Sequence, residues 1–205
     1  MRRFTLFAAM ILFMASFVAG ATLGAGSAAA QVGPGSRVLA NGQVITWSDF
    51  YELDQTTVAV VDGVEFVDLY SATGWFSVIT TNFPAYGNVL RDLSVQDLQA
   101  TVPLRQIDRG DYSNVSYSLD TTIYQGVDIG AFTLVLDQGS YAQLTMVVAP
   151  VTTFQYELQI AQQELTIGGG GVFQGVDPIK MQSILTNATG VPLMDLNQQS
   201  STTVV

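Results

Sequence analysis

Asp108, Asp111 and Asn114 bring three oxygen-bearing side chains into one short stretch of the chain. Calcium takes about six to eight oxygen ligands, which acidic loops and backbone carbonyls commonly supply, so this stretch is a weak candidate for a calcium site. Two other acidic stretches have similar spacing: Asp49, Glu52 and Asp54, and Asp62, Glu65 and Asp68. None follows the ligand order of an EF-hand loop. The alternative is that these are acidic side chains of turns and solvent-facing strand positions.

Arg109-Gly110-Asp111, within the same stretch, is a tripeptide that some animal cell-surface receptors bind. The surrounding pattern of aspartate, glycine and tyrosine at alternate positions occurs twice, in residues 106–118 and 135–147. The copies align as Asp108 with Asp137, Gly110 with Gly139, and Tyr112 with Tyr141. In the second copy Gln138 and Ser140 replace the arginine and the second aspartate. The two residues that adhesion would need are therefore the two that vary.

Each residue of the repeated pattern has a structural role that explains its presence. An aspartate side chain can hydrogen-bond to the backbone two residues on and open a turn, and glycine supplies the positive φ that closes it. The tyrosine that follows buries its ring while its hydroxyl stays near solvent. We therefore predict that both copies are turns between strands and that residues 109–111 are not an adhesion signal.

Much of the usual catalytic chemistry is missing, because the chain has no histidine and no cysteine. This excludes triads that need histidine, cysteine nucleophiles, and the usual imidazole and thiolate zinc sites. Two carboxylates could hydrolyse a glycosidic bond, but the spacing of the acidic residues selects no pair. Lys180 and Ser183 have the reverse order of a Ser-x-x-Lys site. We expect a protein that is not an enzyme and that has no cofactor, calcium being the one candidate.

Among the aromatic residues, Trp75 and Phe76 are the candidates for contact with a ligand. Neighbours on a strand point to opposite sides of a sheet, so one of them is exposed unless a second layer covers it. Other aromatic residues could form a sugar-binding platform: Trp47, Tyr86, Tyr124 and Tyr156. The alternative for all of them is a place in the hydrophobic core.

Residues 1–30 have the layout of a secretory signal peptide. Arg2 and Arg3 precede a long apolar run, and Ala28 and Ala30 stand where a signal peptidase would cut before Gln31. The alternative is that the segment is retained as an anchor. We predict a secreted protein, extracellular or periplasmic in the cell envelope, with no membrane span after cleavage.

Charge narrows the choice of partners. The formal charge of the full chain is −10, and it becomes −12 once Arg2 and Arg3 are removed with the signal peptide. Binding to nucleic acid requires clustered lysine and arginine, and a chain with a single lysine does not provide them. We expect no nucleic-acid partner, whereas an envelope polysaccharide or another surface protein is compatible with this charge. The oligomeric state is left open.

The elements that must position these residues are mostly strands. Runs of β-branched and aromatic residues are separated by Gly, Pro or Asp-Gly, and Asp62-Gly63 is typical of a hairpin between residues 56–61 and 64–70. The fold class predicted is an all-β antiparallel sandwich, Ig-like or Greek-key-like, with one or two short helices. We divide the chain into a signal peptide (1–30), a leader with a first strand (31–55), a sandwich core (56–150) and C-terminal strands (151–205). The last range either completes the sandwich or forms part of a second repeat.

Two short helices are predicted. One covers residues 93–100, with Ser94 as its N-cap and Asp97 three residues later. The other covers residues 177–187, with Asp177 as its N-cap followed by Pro178. The alternative for this segment is a strand, because Ile179, Met181, Ser183 and Leu185 also alternate. Residues 153–167 are predicted to be a strand.

The paired strand–x-x-G-x-Y–strand pattern and the sequence VEFVDLYSATG give the chain a resemblance to a known class of proteins. It resembles small exported β-sandwich domains of bacterial cell-surface proteins of unassigned function, and it is similar in rhythm to the periplasmic accessory proteins of alginate O-acetylation. The resemblance covers residues 56–150 and is interrupted by residues 83–105. It implies a non-catalytic, envelope-associated module and transfers no functional residues.

The function expected from these observations is a non-catalytic binding or scaffold module that contacts polysaccharide or another surface protein. One alternative is a subunit that assembles on the cell surface by strand addition, because few lysines guard its sheet edges and residues 196–205 are β-prone. A further alternative is a glycoside hydrolase that uses carboxylates alone.

Overall fold

The computed structural model describes residues 31–32, 34–53, 59–61, 64–100, 102–173, 176–177 and 183. Within these ranges the chain forms thirteen strands and two helices, and it is an antiparallel β-sandwich of two open sheets. The predicted fold class is therefore confirmed. The predicted signal peptide and the C-terminal β-prone segment lie outside the described residues, as does most of the helix predicted for residues 177–187.

The strands and helices follow one another in a simple order. The strands before the first helix are β1 (Gln31–Val32), β2 (Gly35–Val38), β3 (Val44–Trp47), β4 (Glu52–Leu53), β5 (Ala59–Val61), β6 (Val64–Tyr70) and β7 (Trp75–Thr81). Helix α1 (Gly87–Gln99) leads to β8 (Arg105–Tyr112), β9 (Val115–Tyr124), β10 (Val127–Asp137) and β11 (Ala142–Pro150). Helix α2 (Val151–Glu164), β12 (Leu165–Ile167) and β13 (Gly170–Gly171) follow.

The larger sheet has the order β1-β4-β6-β7-β11-β10-β9-β8, with β5 also paired to β6. The smaller sheet has the order β13-β12-β3-β2. Pairing of Val61 with Val64 confirms the hairpin predicted around residues 62–63, although these two residues lie outside the described ones. The smaller sheet joins strands from the beginning of the described chain to strands that follow α2.

Both faces of the larger sheet are covered. On one face, side chains of β6, β7, β9, β10 and β11 pack against the smaller sheet and α2. On the other face, a second apolar cluster packs against α1 and the segment that follows it. Strand β7 is consequently buried along its whole length, without the alternation of a half-exposed strand.

Trp75 and Phe76 show the effect of this double cover. Trp75 belongs to the cluster under α1 and Phe76 to the cluster under the smaller sheet, and their exposed fractions are 6% and 1%. Of the two alternatives for this pair, the structure shows the second, in which a covering layer lies on each side of the strand and both side chains are buried.

Helix α2 occupies most of a segment that the sequence analysis predicts as a strand. Its buried residues Phe154, Glu157, Leu158 and Ala161 have the spacing of one helical face. Gly130 on β10 makes room for this helix, since a β-carbon there would lie 2.9 Å from Cδ2 of Phe154. Alternate apolar residues in the same segment also fit a strand, and packing against the sheet decides in favour of the helix.

Helix α1 exists where a helix is predicted, but it begins seven residues earlier than Ser94, at Gly87. Ser94 is a buried residue inside the helix and not its N-cap, and the N-cap position is occupied by Tyr86, whose side chain makes no capping hydrogen bond. Close packing against β9 favours glycine at the first helical position. A β-carbon at Gly87 would lie 3.2 Å from Oγ of Ser116 on β9.

Candidate functional site

Strand β8 lies at one edge of the larger sheet and contains the sequence Arg109-Gly110-Asp111. Its residues pair with β9 from Arg105 with Thr121 to Tyr112 with Val115, with a β-bulge between Gln106 and Asp108. The prediction of a turn is therefore wrong for the first copy of the repeated pattern. The turn lies beyond it, at residues 113–114, where Ser113 has a positive φ of 52°.

The second copy of the pattern is a turn, as predicted. Gly139 has a φ of 79°, and its backbone N–H donates to Oδ1 of Asp137 at 2.8 Å. The backbone N–H of Gln138 donates to the carbonyl of Tyr141 at 3.0 Å. The same residue types thus form a strand in one copy and a turn in the other, because only the first copy is paired along its length with a neighbouring strand.

Successive side chains of β8 point to opposite faces of the larger sheet. Asp108, Gly110 and Tyr112 lie opposite Leu119, Tyr117 and Val115, which face the smaller sheet. Arg109 and Asp111 lie opposite Ser118 and Ser116, on the face that α1 covers. An edge strand with this many charged side chains and a bulge is protected against pairing with another chain, which disfavours strand addition at β8.

Arginine–aspartate contacts join α1 to β8. The side chain of Arg91 is 1% exposed; its Nη1 lies 2.5 Å from Oδ1 of Asp111, and its Nε donates to Oδ1 of Asp92 at 2.8 Å. Nη1 also donates to the carbonyl of Gly110 at 3.1 Å. Arg109 reaches back to the helix, with Nη2 2.5 Å from Oδ2 of Asp92. Partial burial acts to raise the pKa of Asp92, but the hydrogen bonds from Arg91 and Arg109 outweigh it and hold the pKa below its usual value.

A cleft of about 420 Å³ opens beside β8 and is the candidate binding site. We call it the β8 cleft, and it is lined by Asp108, Arg109, Gly110, Asp111, Tyr112, Tyr117 and Asp177. The hydroxyl of Tyr117 donates to Oδ2 of Asp108 at 3.2 Å. The rings of Tyr112 and Tyr117 meet edge to face, with centroids 6.5 Å apart. The lining of the cleft therefore comes from both faces of the edge strand, and it includes carboxylates, a guanidinium and the partly exposed ring of Tyr112, whereas Tyr117 is buried.

Asp108, Asp111 and Asn114, the first of the predicted calcium stretches, do not converge in the structure, and Asp54 and Asp62 of the other two stretches lie outside the described residues. Asp108 and Asp111 belong to opposite faces of β8, and Asp111 pairs with Arg91. The amide of Asn114 donates instead to the carbonyl of Asp137 at 3.3 Å. Glu65, from another predicted stretch, accepts hydrogen bonds from Arg37 and from the backbone N–H of Ala40. Among the described residues, no group of three or more acidic side chains is arranged to hold a metal ion.

A buried carboxylate on α2 was missed by the sequence analysis. Oε1 of Glu157 accepts hydrogen bonds from the hydroxyls of Ser71 and Thr73, with the Ser71 contact at 2.8 Å. These contacts tie the helix to the connection between β6 and β7. Burial, followed by the charges of Glu157 and Glu164, raises the pKa of Tyr51. The apolar residues at helical spacing around position 157 would have indicated its burial, had the segment been predicted as a helix.

Asp120 on β9 is a second buried carboxylate, on the face beneath α1. Oγ of Ser118 donates to its Oδ2 at 2.6 Å. Burial raises the pKa of Asp120, while the Ser118 hydrogen bond and the charges of Arg109 and Arg91 act in the opposite direction. Alternate polar residues along β9 predict an exposed face, and the cover provided by α1 buries it.

Among the aromatic residues proposed as a sugar platform, Trp47 is buried and Tyr124 is partly buried. Tyr86 and Tyr156 are exposed, and they lie on different helices or helix ends. Phe50 contacts Tyr156 edge to face with centroids 6.1 Å apart. The exposed aromatic residues therefore form no common platform with those of the sheet.

Comparison with known proteins identifies no family for this chain. No protein-family model matches it. No curated protein matches it either. In the described residues no helix has the length and apolar composition needed to cross a membrane.

Several solved structures are similar to this chain at low scores. One is a crystal structure from Bacteroides thetaiotaomicron VPI-5482, with a TM-score of 0.40 and 12% identity over 66% of this chain and 48% of the other. Another is PA94 of Pseudomonas aeruginosa, a protein of unknown function, with a TM-score of 0.38 and 10% identity over 71% and 97%. A third is LpqN, involved in cell envelope biogenesis of Mycobacterium tuberculosis, with a TM-score of 0.39 and 9% identity over 65% and 88%. This chain spans about half of the Bacteroides protein, and similarity at this level carries no argument about function.

Proposed function

We propose that this protein is a non-catalytic binding module of the cell envelope that holds sugar units of an envelope polysaccharide in the β8 cleft. The observation that supports the proposal is the combination of volume and lining in that cleft. Its volume of about 420 Å³ falls in the usual range for small-molecule sites. Its lining combines hydrogen-bonding groups with aromatic rings.

A sugar ring needs both kinds of contact. Its hydroxyls donate to carboxylates and accept from a guanidinium, and the exposed residues Asp111 and Arg109 offer these groups on the α1 side of β8. The C–H face of a sugar ring packs against aromatic side chains, and the partly exposed Tyr112, on the other face of the edge strand, offers such a contact to the next unit of the oligomer. Asp92 holds Arg109 and Arg91 holds Asp111, so little side-chain entropy is lost on binding.

The absence of catalysis is part of the same proposal. A carboxylate-only hydrolase needs a general acid with a raised pKa close to the bond that it cleaves. Asp120 has a raised pKa, but it is buried beneath α1 and does not line the β8 cleft. The cleft carboxylates Asp108 and Asp111 are engaged by Tyr117 and Arg91. Location in the envelope rests on the predicted signal peptide.

The test begins with the purified protein on an array of neutral, amino-sugar and anionic glycans. Because the chain carries a formal charge of −10, we expect binding to neutral or amino-sugar oligomers such as laminarin or chito-oligosaccharides, and none to alginate. Calorimetric titration of a bound oligomer then measures the affinity. Arg109→Ala and Asp111→Asn should each weaken it by about tenfold or more, since each removes a hydrogen-bonding group of the cleft.

The matched control is Asp128→Asn, which neutralises an exposed aspartate on β10 outside the cleft. Its affinity should equal that of the wild type. An array with no bound glycan, or binding that all three variants retain, would contradict the proposal. Hydrolysis of the bound oligomer would contradict its non-catalytic part.

A further inference from the structure

The outer side of α1 carries an exposed row of residues that the β8 cleft does not use. Tyr86, Val89, Leu93, Gln96 and Ala100 are all exposed, and they are spaced three and four residues apart along the helix. This is the spacing of the contact row in a pair of packed helices. We call these five residues the α1 seam. Its three larger members have exposed fractions of 77% (Tyr86), 50% (Val89) and 54% (Leu93).

The α1 seam lies opposite the side that holds the helix to the protein. Gly87, Arg91, Ser94 and Leu98 are buried against the sheet, and the seam positions fall on the other side of the helix. An exposed valine and an exposed leucine one turn apart contribute nothing to the core of this protein. Large apolar side chains grouped in this way mark an interaction surface more often than single exposed residues do.

We infer that the α1 seam joins two copies of this chain as an antiparallel helix pair centred on Leu93. Leu93 is the middle residue of Gly87–Gln99, so a two-fold axis through it superimposes the two helices over their full length. Leu93 then meets its own counterpart. Tyr86 has the largest side chain of the seam, and it meets Ala100 of the other copy, which has the smallest. Val89 meets the region of Gln96 of the other copy.

Charge complementarity favours this orientation over the parallel one. The first turn of α1 has no acidic residue, and its N-cap makes no side-chain hydrogen bond, so the positive end of the helix dipole lacks a local counter-charge. Asp97 is exposed beside the seam near the other end of the helix. In the antiparallel pair it lies beside Val89 of the other copy, one turn from that copy's positive helix end. A parallel pair would place like ends together.

Other occupants fit the surface less well. A membrane surface with anionic lipids would meet Asp92 and Asp97 and no basic residue on this helix apart from the buried Arg91. Apolar patches on monomers measure roughly 300–600 Å², and two of that size bury at most the lower end of the usual area of a specific interface, about 1,200–2,000 Å². The dimer is accordingly a weak one, in which monomer and dimer exchange.

Sedimentation velocity of the purified protein over a range of concentrations tests the inference. We expect the sedimentation coefficient to rise from the monomer to the dimer value. Leu93→Glu should raise the dissociation constant by about tenfold or more, because it places two like charges at the two-fold axis. Glutamate is a good helix former, so the fold should be retained. Ile123→Glu, at an exposed position on β9, is the control and should dimerise as the wild type does.

Disulfide trapping gives an independent readout, because the chain contains no cysteine. Leu93→Cys should form a covalent dimer on mild oxidation, since the two thiols meet at the axis. Asn88→Cys, exposed on the same helix but away from the seam, should remain monomeric. A protein that stays monomeric at every concentration would overturn the inference. So would a dimer that Leu93→Glu leaves intact, or equal crosslinking of the two cysteine variants.

Discussion

Gly110 on β8 lies directly opposite Tyr117 on β9, and a β-carbon at position 110 would come within 2.7 Å of Cε1 of the tyrosine ring. The glycine in this stretch is therefore required by a close approach across two strands. Its φ is not in the left-handed region, so the turn chemistry that the sequence suggests is not its reason for being there.

Gly110→Ala should lower the free energy of unfolding by about 1–3 kcal/mol, because the new methyl group has to displace the buried ring of Tyr117. Urea denaturation measures the loss. Gly171→Ala is the matched control in β13, where the nearest atom to the added β-carbon is the carbonyl of Gln162 at 3.7 Å. That variant should stay within about 0.5 kcal/mol of the wild type. Equal losses in both variants would remove the steric explanation.

Arg91→Lys should lower the free energy of unfolding by about 1–3 kcal/mol although the charge is kept. Lysine is a single point of charge, and it does not reproduce the separate contacts that the guanidinium makes with Asp92, Asp111 and the carbonyl of Gly110. Thermal and urea unfolding measure the change. Arg109→Lys, at a partly exposed arginine that also pairs with Asp92, should change stability by less than about 0.5 kcal/mol. A smaller effect at position 91 than at 109 would contradict this assignment.

Asp120→Asn should make the protein more stable at neutral pH. Burial raises the pKa of Asp120 in the folded state, so the unfolded state loses this proton at lower pH. As the pH rises from the ordinary carboxyl value of about 3.9 to the folded value, the folded state is progressively disfavoured. The variant lacks this effect. Its advantage over the wild type should therefore be largest near pH 7 and disappear below about pH 4, in urea unfolding followed across that range.

Asp92→Asn is the control of opposite sign for that experiment. The pKa of Asp92 is lowered in the folded state, so its carboxylate stabilises the fold above the ordinary carboxyl pKa and loses this effect as the pH falls through the folded value. The variant should be less stable than the wild type near pH 7. Because the Asp92 side chain is one-third exposed, the deficit should not exceed about 1 kcal/mol. If both variants shift stability in the same direction, the electrostatic explanation fails.

Surfaces coated with this protein should not support integrin-dependent cell adhesion. Arg109 and Asp111 lie on one face of a paired strand, and each is held by a charged residue of α1. Receptor recognition would require both side chains to leave these partners. Adhesion of integrin-bearing cells should be the same on the wild type and on Asp111→Glu, with an immobilised Arg-Gly-Asp peptide as the positive control. Adhesion that the substitution abolishes would reverse this conclusion.

The strand content, the sandwich class and the β5–β6 hairpin follow from local patterns that neighbouring residues carry. Asp62-Gly63 between two apolar runs, for example, fixes a hairpin almost without reference to the rest of the chain. The segment 151–164 is different, because Phe154, Tyr156, Leu158 and Ile160 alternate as in a strand while Phe154, Leu158 and Ala161 match a helix. The space left by Gly130 on a distant strand decides between them.

The β8 cleft was not predicted from the sequence. Asp108 and Tyr112 were predicted to belong to a turn, and Asp108 and Asp111 to a calcium loop. Their arrangement depends on pairing with β9 and on contacts with Arg91. Arg91 lies on α1, but the sequence predicts that this helix starts only at Ser94, three residues after Arg91. A buried arginine has no local sequence signal, since its partners come from another strand. Asp177 joins the cleft from a part of the chain still further away.

The order of strands in the larger sheet also has a kinetic consequence. Strands β8 to β11 are consecutive hairpins, so each of their pairings closes a short loop. The contact between β7 and β11, for instance Trp75 with Val148, joins segments separated by α1 and three whole strands. Loop closure over that distance is entropically costly, and such contacts form late. In pulse-labelled hydrogen exchange during refolding, amides of β9 and β10 should gain protection before those of β7. Docking of the β6–β7 hairpin onto β11 is then the rate-limiting step of folding.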